Sequence, residues 1–313
     1  MERPPADCLP GVMIEIGAGA RTRATCSPAT HENATSGAGH RNHLEIVHRI
    51  GSAGYMFSEH AFFSFIDLTD PSVHREYNEW HQLDHRPENL LLPGVAWGDR
   101  WARPAEYSAL DRASSPELAD IDYVAMYWFR PPYEESVAAW TKLGEDSFQW
   151  GRGPQLPGVR RPLLGFFTPV KGYAAPRIGV SAEALPFRPN RGLHLTVTHF
   201  GDPHEADVHE QFRWDDRVGI PALLDCPGVA GAWTFSLHSM QKHPTLPLGA
   251  GNREFAPGSV RIRMLYLDAD PADVTRAVMQ LEQDLATGDA PRPVVGETLF
   301  DGPLRTIIPW QDW

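Results

Sequence analysis

The sequence predicts an α+β fold made of two tandem copies of one β-α-β-β-α-β unit, and three observations lead to this prediction. The chain has 313 residues, a length that suits two domains of about 130 residues each and a leftover segment. Strand-like and helix-like stretches follow in the same order in both halves. Eight positions of a 21-residue window are repeated 134 positions later, including the run Pro-Gly-Val-Ala.

The first half begins with the apolar strand AFFSFIDL at 61–68. Asp70 and Pro71 then begin a helix that extends to about Asn89, because proline is favoured in the first turn of a helix. The rest of the unit comprises LLPGVAWGDRWA, where Pro-Gly ends the helix and a strand follows, the strand YVAMYWFR, the helix PYEESVAAWTKLGE and the strand RRPLLGFFTPV.

The second half repeats this order with LHLTVTHF, a helix from Asp202, PGVAGAWTFSL, VRIRMLYLD, a helix from Pro271 and LRTIIPW. The order β-α-β-β-α-β is that of a ferredoxin-like unit, in which two helices cover one face of the sheet and leave the other face bare. The other repeat is the simplest partner for that bare face. We therefore expect two four-stranded antiparallel sheets that face each other around a barrel-like core.

Composition and periodicity predict where these units begin and end. Residues 1–55 are rich in Gly, Ala, Thr, Ser and Pro without sustained periodicity, which predicts a disordered extension. Residues 56–175 form repeat 1, 176–190 a linker and 191–313 repeat 2. Because strand character begins abruptly after Met56, translation from Met56 is an alternative that mass spectrometry of the native protein can test.

Charge and composition exclude several classes of partner. The formal net charge is -12, and the basic residues are scattered, so we expect no nucleic-acid partner. No apolar run is long enough to span a bilayer, and the N-terminus lacks the pattern of a secretory signal, so we expect a cytoplasmic protein without a membrane partner. The three cysteines show no disulfide or zinc framework. Further pairing into a homo-oligomer stays open.

The stretch FIDLTDPSVHREYNEWHQLDHRPENLLLPGVAWGDRW resembles the first strand, helix and second strand of the dimeric α+β barrel superfamily, and it is most similar to the EthD-like branch. About forty residues carry the resemblance, above all Tyr77, Trp80, His85, Pro87, Pro93 and Gly94. The resemblance implies that the two repeats form an intramolecular version of that dimeric barrel. It also implies a small-molecule pocket between sheet and helix.

The superfamily includes cofactor-free oxygenases, polyketide cyclases, decarboxylases, lactone isomerases and some haem enzymes, and a fold alone does not choose among them. The resemblance favours an enzyme that acts on a hydrophobic aromatic or polyketide-like substrate without a cofactor. Two alternatives stay open: a non-catalytic or stress-related protein that binds a hydrophobic ligand, and a haem-binding member of the same superfamily.

His85 is the first candidate catalytic residue, as a general base or acid. Asp84 is the second, because its neighbouring carboxylate influences the charge of His85. The structural alternative is that His85 caps the end of the helix. In repeat 2 the equivalent positions hold Gly219 and Val218, which predicts one working site per chain, in repeat 1. Tyr77 is the third catalytic candidate, as a hydrogen-bond donor to a substrate oxygen, although a core role is the alternative.

The candidate substrate-binding residues are Phe65, Trp97, Arg100 and Trp101. Along the second strand, side chains alternate, so Trp97 and Trp101 share one face while Arg100 lies on the other. A surface role is the alternative for Arg100.

The pair His81 and His85 superficially resembles a metal-binding HExxH arrangement. Gln82 replaces the glutamate, Pro87 predicts that the helix ends nearby, and the sequence names no third ligand. We therefore expect neither a metal nor another cofactor.

Overall fold

The computed structural model describes Ser58 and residues 60–112, 115–152, 158–241, 252–288, 293 and 295–310. The disorder expected for residues 1–55, and the alternative start at Met56, fall outside these described residues.

Eight strands of the described chain form one closed antiparallel barrel. They are β1 His60–Leu68, β2 Val95–Ala102, β3 Tyr123–Phe129, β4 Val159–Ala174, β5 Gly192–His199, β6 Val229–Met240, β7 Val260–Leu267 and β8 Glu297–Thr306. Around the barrel their order is β1-β3-β2-β8-β5-β7-β6-β4. Each half of the chain thus contributes four neighbouring strands, and the mixed α+β content and barrel-like core expected from the sequence are confirmed.

Six α-helices accompany the strands in the described residues: α1 His74–Trp80, α2 Arg86–Leu91, α3 Tyr133–Gln149, α4 Ala206–Trp214, α5 Ile220–Asp225 and α6 Pro271–Ala286. None of them is long and apolar enough to cross a membrane. The segment predicted as a linker contains two short 3-10 helices, Pro176–Ile178 and Ala182–Phe187, and Leu185 from the second one packs into the core.

The first helix passes Pro87 and ends at Leu91, two residues beyond the expected end near Asn89. A π-helical turn, His81–His85, joins α1 to α2, and the helix continues to Leu91. The wider turn lets the chain pass Pro87, which sits in the first turn of α2, where its missing N–H does not break a helical hydrogen bond. The second half has the same arrangement, in which the π-helical turn Asp215–Gly219 precedes Pro221.

Alternation along β1 separates the barrel core from the outer face of the sheet. Phe63 and Phe65 are completely buried in the cluster that fills the barrel. Phe62, Ser64 and Ile66 point the other way, toward the helices. Burial of each phenylalanine side chain stabilises the fold by about 1.5–3 kcal/mol.

The two halves of the barrel meet at two unequal seams. Strands β4 and β6 pair from Gly165 to Ala174, whereas β2 and β8 pair only through Trp101 and Ala102. The Trp101 indole reinforces the short seam by donating a hydrogen bond of 3.1 Å to the Asn190 side chain.

Candidate active site

A cavity lies in the first half, between the outer face of the sheet and the helices. It contains about 790 Å³ of empty space, part of it open to solvent. Its floor is formed by the cross-strand pairs Phe62–Tyr127 and Ser64–Ala125 of β1 and β3. The remaining lining residues are Ile66, Tyr77, Trp80, His81, His85, Asn89, Trp140, Thr141, Gly144, Ser147, Arg152, Arg161, Leu164 and Gln241.

His85 lies at the end of the π-helical turn and is half-buried in this cavity. Its ring stacks on Trp80, with ring centroids 4.7 Å apart and planes inclined by 25°. The ring of His81 stands edge-on at 5.3 Å, and that of Tyr127 at 6.3 Å. The wide turn brings both histidines to the cavity, so the helix-capping role considered for His85 does not apply, because the helix continues beyond it.

Burial keeps both histidines neutral at pH 7. It lowers the pKa of His85 to about 4, with Arg161 and Arg100 acting in the same direction and Asp84 opposing them. The pKa of His81 lies well below its usual range, chiefly through burial and then through Arg100. A neutral imidazole in a cavity can accept a proton or hydrogen-bond a polar ligand atom.

Asp84 acts on His85 only through its charge. Its two carboxylate oxygens accept hydrogen bonds of 2.9 and 2.8 Å from the Arg152 guanidinium, which also donates to Glu88 at 3.0 Å. This arrangement raises the pKa of Arg152. The acidic pair therefore holds Arg152 at the rim of the cavity.

Tyr77 is 1% exposed and lines the cavity beside Trp80, with their ring centroids 5.8 Å apart. The Arg100 guanidinium lies on the other side, 5.2 Å from the Tyr77 ring and 4.7 Å from the Tyr123 ring. Arg100 is fully buried, so the surface role considered for it is wrong. One of its nitrogens donates to the Asn78 side chain, whereas Nε and Nη1 have no hydrogen-bond partner.

The structure does not bring Phe65, Trp97 or Trp101 to this cavity. Phe65 and Trp101 belong to the barrel core, and Trp97 packs against that core from its edge, with the Phe187 ring 5.7 Å away. These three side chains lie on the inner face of the sheet, whereas His85 lies over the outer face. The expectation of one shared pocket is therefore corrected by the alternation of side chains in the strands.

Sequence reasoning missed Arg161, which lines the cavity and is 4% exposed. Its Nη1 has no hydrogen-bond partner. The signal was an arginine pair, Arg160 and Arg161, at the start of an apolar strand. Because side chains alternate along a strand, one of the two must lie under the helices, on the outer face of the sheet, and that residue is Arg161.

No metal centre is formed by the described part of the chain, where no group of three or more His, Cys, Asp or Glu side chains is placed to hold an ion.

A second cavity of about 470 Å³ occupies the related position in the second half. Thr196, Thr198, Gln211 and Asp215 line it, each 134 positions after a residue that lines the first cavity. At the position of His85 stands Gly219, where an added Cβ would collide with the Trp214 ring. The second cavity is thus polar and has no imidazole among its described lining.

No family model and no curated protein matches this sequence. Among solved structures, a candidate monooxygenase of Fusobacterium nucleatum subsp. nucleatum aligns with a TM-score of 0.47 at 8% identity, over 81% of this chain and 94% of that one. A candidate chlorite dismutase gives 0.44 at 12% identity, over 81% and 96% of the two chains. An anthrone oxidase-like protein gives 0.40 at 10% identity, over 80% and 92%. These values assign neither a family nor an activity to this chain. Its own fold and site define an α+β barrel protein with one aromatic, histidine-bearing cavity in its described first half.

Proposed function

We propose that this chain is a small-molecule enzyme in which His85 moves a proton on a hydrophobic aromatic or polyketide-like substrate, without a bound cofactor. The observation that carries the proposal is the imidazole of His85, which stacks on Trp80 and faces a cavity walled by aromatic rings. A planar substrate fits such walls, because aromatic rings stack face to face with an offset or edge to face.

The shared first step of the proposed chemistry is abstraction of a proton from a C–H group next to a carbonyl or an aromatic ring. The resulting carbanion can lead to decarboxylation, cyclisation, isomerisation or direct reaction with oxygen. His85 accepts the proton, and Tyr77 is the proposed hydrogen-bond donor to the substrate oxygen. Asp84 modulates the basicity of His85 through its charge.

We also propose that the architecture is a fused pair of ferredoxin-like units of the EthD-like type. The support is the strand order, which reads β4-β1-β3-β2 in one half and β8-β5-β7-β6 in the other, and the repeated π-helical turn. In this proposal residues 56–175 bear the site, 176–190 link the units and 191–313 complete the barrel.

Anthrone, a tricyclic ketone with an acidic methylene group, provides a direct test. Under nitrogen in D₂O at neutral pD, exchange of its methylene hydrogens reports proton abstraction alone. In air, anthrone and O₂ give anthraquinone and water, which reports any subsequent oxygenation. We expect the protein to accelerate exchange, and His85→Gln to reduce the acceleration by about a hundredfold or more.

The matched control is His204→Gln, because His204 is an exposed histidine in the second half. The His204→Gln variant should accelerate hydrogen exchange of anthrone as much as the wild-type protein does. Equal acceleration by the protein and by folded His85→Gln would contradict the role of His85.

One observation favours the alternative of a non-catalytic binding protein. A pKa of about 4 makes free His85 a weak base. A carrier predicts saturable binding that is indifferent to His85→Gln and yields no product. The haem-binding alternative predicts a Soret band when haem is titrated into the purified protein.

A further inference from the structure

Two buried arginines beside the cavity lack a carboxylate partner among the described residues. Arg100 is 0% and Arg161 is 4% exposed, and Nε and Nη1 of Arg100 and Nη1 of Arg161 have no hydrogen-bond partner. Two nearby carboxylates, one next to Arg100 in sequence and one on strand β1, which pairs with β4, face other bases. Asp99 lies 3.9 Å from Arg86, and Asp67 lies 3.2 Å from Arg160.

The described wall of the cavity contains one arginine that no carboxylate compensates. Its described lining contains Arg152, Arg161 and two histidines but neither Asp nor Glu. Arg152 is already bound by two carboxylates, so Arg161 is the cation in the wall that remains available to a ligand. Leaving a buried charge uncompensated destabilises a fold by several kcal/mol, and an anion bound beside it removes that penalty.

The second cavity shows how this fold balances buried arginines where no anion is needed. Arg263 donates to Glu282 at 2.7 Å and to Thr196 at 3.0 Å. Arg261 faces the negative charges of Asp215 and Asp216. The lack of such carboxylates around Arg161 is therefore a local feature of the first cavity and not a general property of the barrel.

We propose that the first cavity binds an aromatic carboxylate, which accepts hydrogen bonds from Arg161 while its ring packs against Trp80, Trp140 and Phe62. Arg100 lies one layer deeper, behind Tyr77, and adds positive potential. The aromatic part of this inference rests on the proposed function, whereas the anionic part rests on the unpaired arginines.

The bound carboxylate also changes His85. In the free protein, the nearby guanidinium of Arg161 disfavours the imidazolium form. A carboxylate between them neutralises that effect and raises the pKa of His85 toward neutrality, which makes the imidazole a stronger base when the ligand is present.

The test compares two nearly identical probes, 2-naphthoate and its neutral amide 2-naphthamide, by tryptophan fluorescence and calorimetry at pH 7.5. We expect the acid to bind about tenfold or more tightly than the amide. Arg161→Gln should abolish this preference with little change in amide affinity, and Arg161→Lys should retain part of it. Arg160→Gln is the control, since Arg160 is a half-exposed neighbour that pairs with Asp67.

A second readout does not depend on the probes. Without ligand, Arg161→Gln should melt at the same temperature as the wild-type protein or higher, because the substitution removes an uncompensated buried charge. A large decrease in melting temperature would indicate that Arg161 is already paired in the fold and would overturn the inference.

The outcomes separate this inference from the proposed function. Equal affinity for acid and amide, a preference that persists in Arg161→Gln, or binding of neither probe overturns the anionic ligand. Equally tight binding of both probes together with His85-dependent anthrone exchange supports the proposed function and contradicts the anionic ligand. Selective, Arg161-dependent binding of the acid without His85-dependent exchange supports the anionic ligand and contradicts the enzyme.

Discussion

The imidazole of His85 and the indole of Trp80 are stacked, with ring centroids 4.7 Å apart and planes inclined by 25°. In the second half the equivalent indole, Trp214, fills the space that a side chain at Gly219 would occupy. Both halves therefore keep a tryptophan at this helix position, but only the first half places an imidazole against it. This contact explains why the two cavities differ in chemistry although the strands around them match.

Adding an imidazole to the second cavity should not create a second site. In Gly219→His the new side chain collides with Trp214, and overpacking of this kind costs about 1–3 kcal/mol of stability. Urea denaturation measures the loss. Gly201→Ala is the control, because nothing lies within 4 Å of the added Cβ, and its free energy of unfolding should change by less than about 0.5 kcal/mol. An unchanged stability of Gly219→His would contradict the packing described here.

The Trp80 indole has a structural task besides the stack. It donates a hydrogen bond of 2.7 Å to the backbone carbonyl of Arg152, which Trp80→Phe removes while keeping an aromatic ring. We expect a loss of about 1 kcal/mol in the free energy of unfolding. Trp150→Phe is the matched control at a side chain that is 61% exposed, and it should be nearly neutral. Similar losses in both variants would argue against a specific role of the hydrogen bond.

Acid should destabilise the protein through its buried histidines. The pKa of His85 falls from 6.5 to about 4 on folding, so the unfolded chain binds more protons between these pH values. Stability is therefore complete above pH 6.5 and is lost as the pH falls toward 4, by about 1–3 kcal/mol from His85. Thermal melts of His85→Gln should depend less on pH in this window than those of His204→Gln. Parallel curves would show that folding does not lower the pKa of His85.

The floor of the cavity depends on a glycine. A Cβ at Gly98 would collide with the Tyr127 ring, so Gly98→Ala should displace this ring, shrink the cavity and cost about 1–3 kcal/mol. Gly144→Ala makes no such contact and lies within α3, where alanine should stabilise the helix by about 0.5–1 kcal/mol. Chemical denaturation checks the stability of both variants, and the affinity of Gly98→Ala for 2-naphthoate checks the displacement of the ring. Unchanged affinity in Gly98→Ala would place the ligand away from Tyr127.

Much of the architecture could be predicted from the sequence because its signals are local. Apolar strands such as 61–68 and 123–130 lie within about two residues of the observed β1 and β3. The π-helical turn was missed since Pro87 normally signals the end of a helix, and only the tertiary structure shows that a wider turn absorbs it. The hint available in the sequence was that Pro87 is repeated as Pro221, before which the same turn occurs.

The site was harder to predict because it depends on which face each strand presents. His85 and Tyr77 were found through their helix, and both line the cavity. Trp97 was assigned to the same pocket, although its strand turns it toward the barrel core. Arg161 was missed because a basic residue at a strand end usually lies at the surface, and its burial depends on the helices that cover it.

An NMR titration of ¹⁵N-labelled histidines, with and without 2-naphthoate, tests whether a neutral His85 shares its aromatic cavity with an anionic ligand. His85→Gln assigns the resonance. We expect a pKa of about 4 for free His85 and an increase toward neutrality when the carboxylate binds. A free His85 that titrates near 6.5 and does not respond to 2-naphthoate would contradict this expectation.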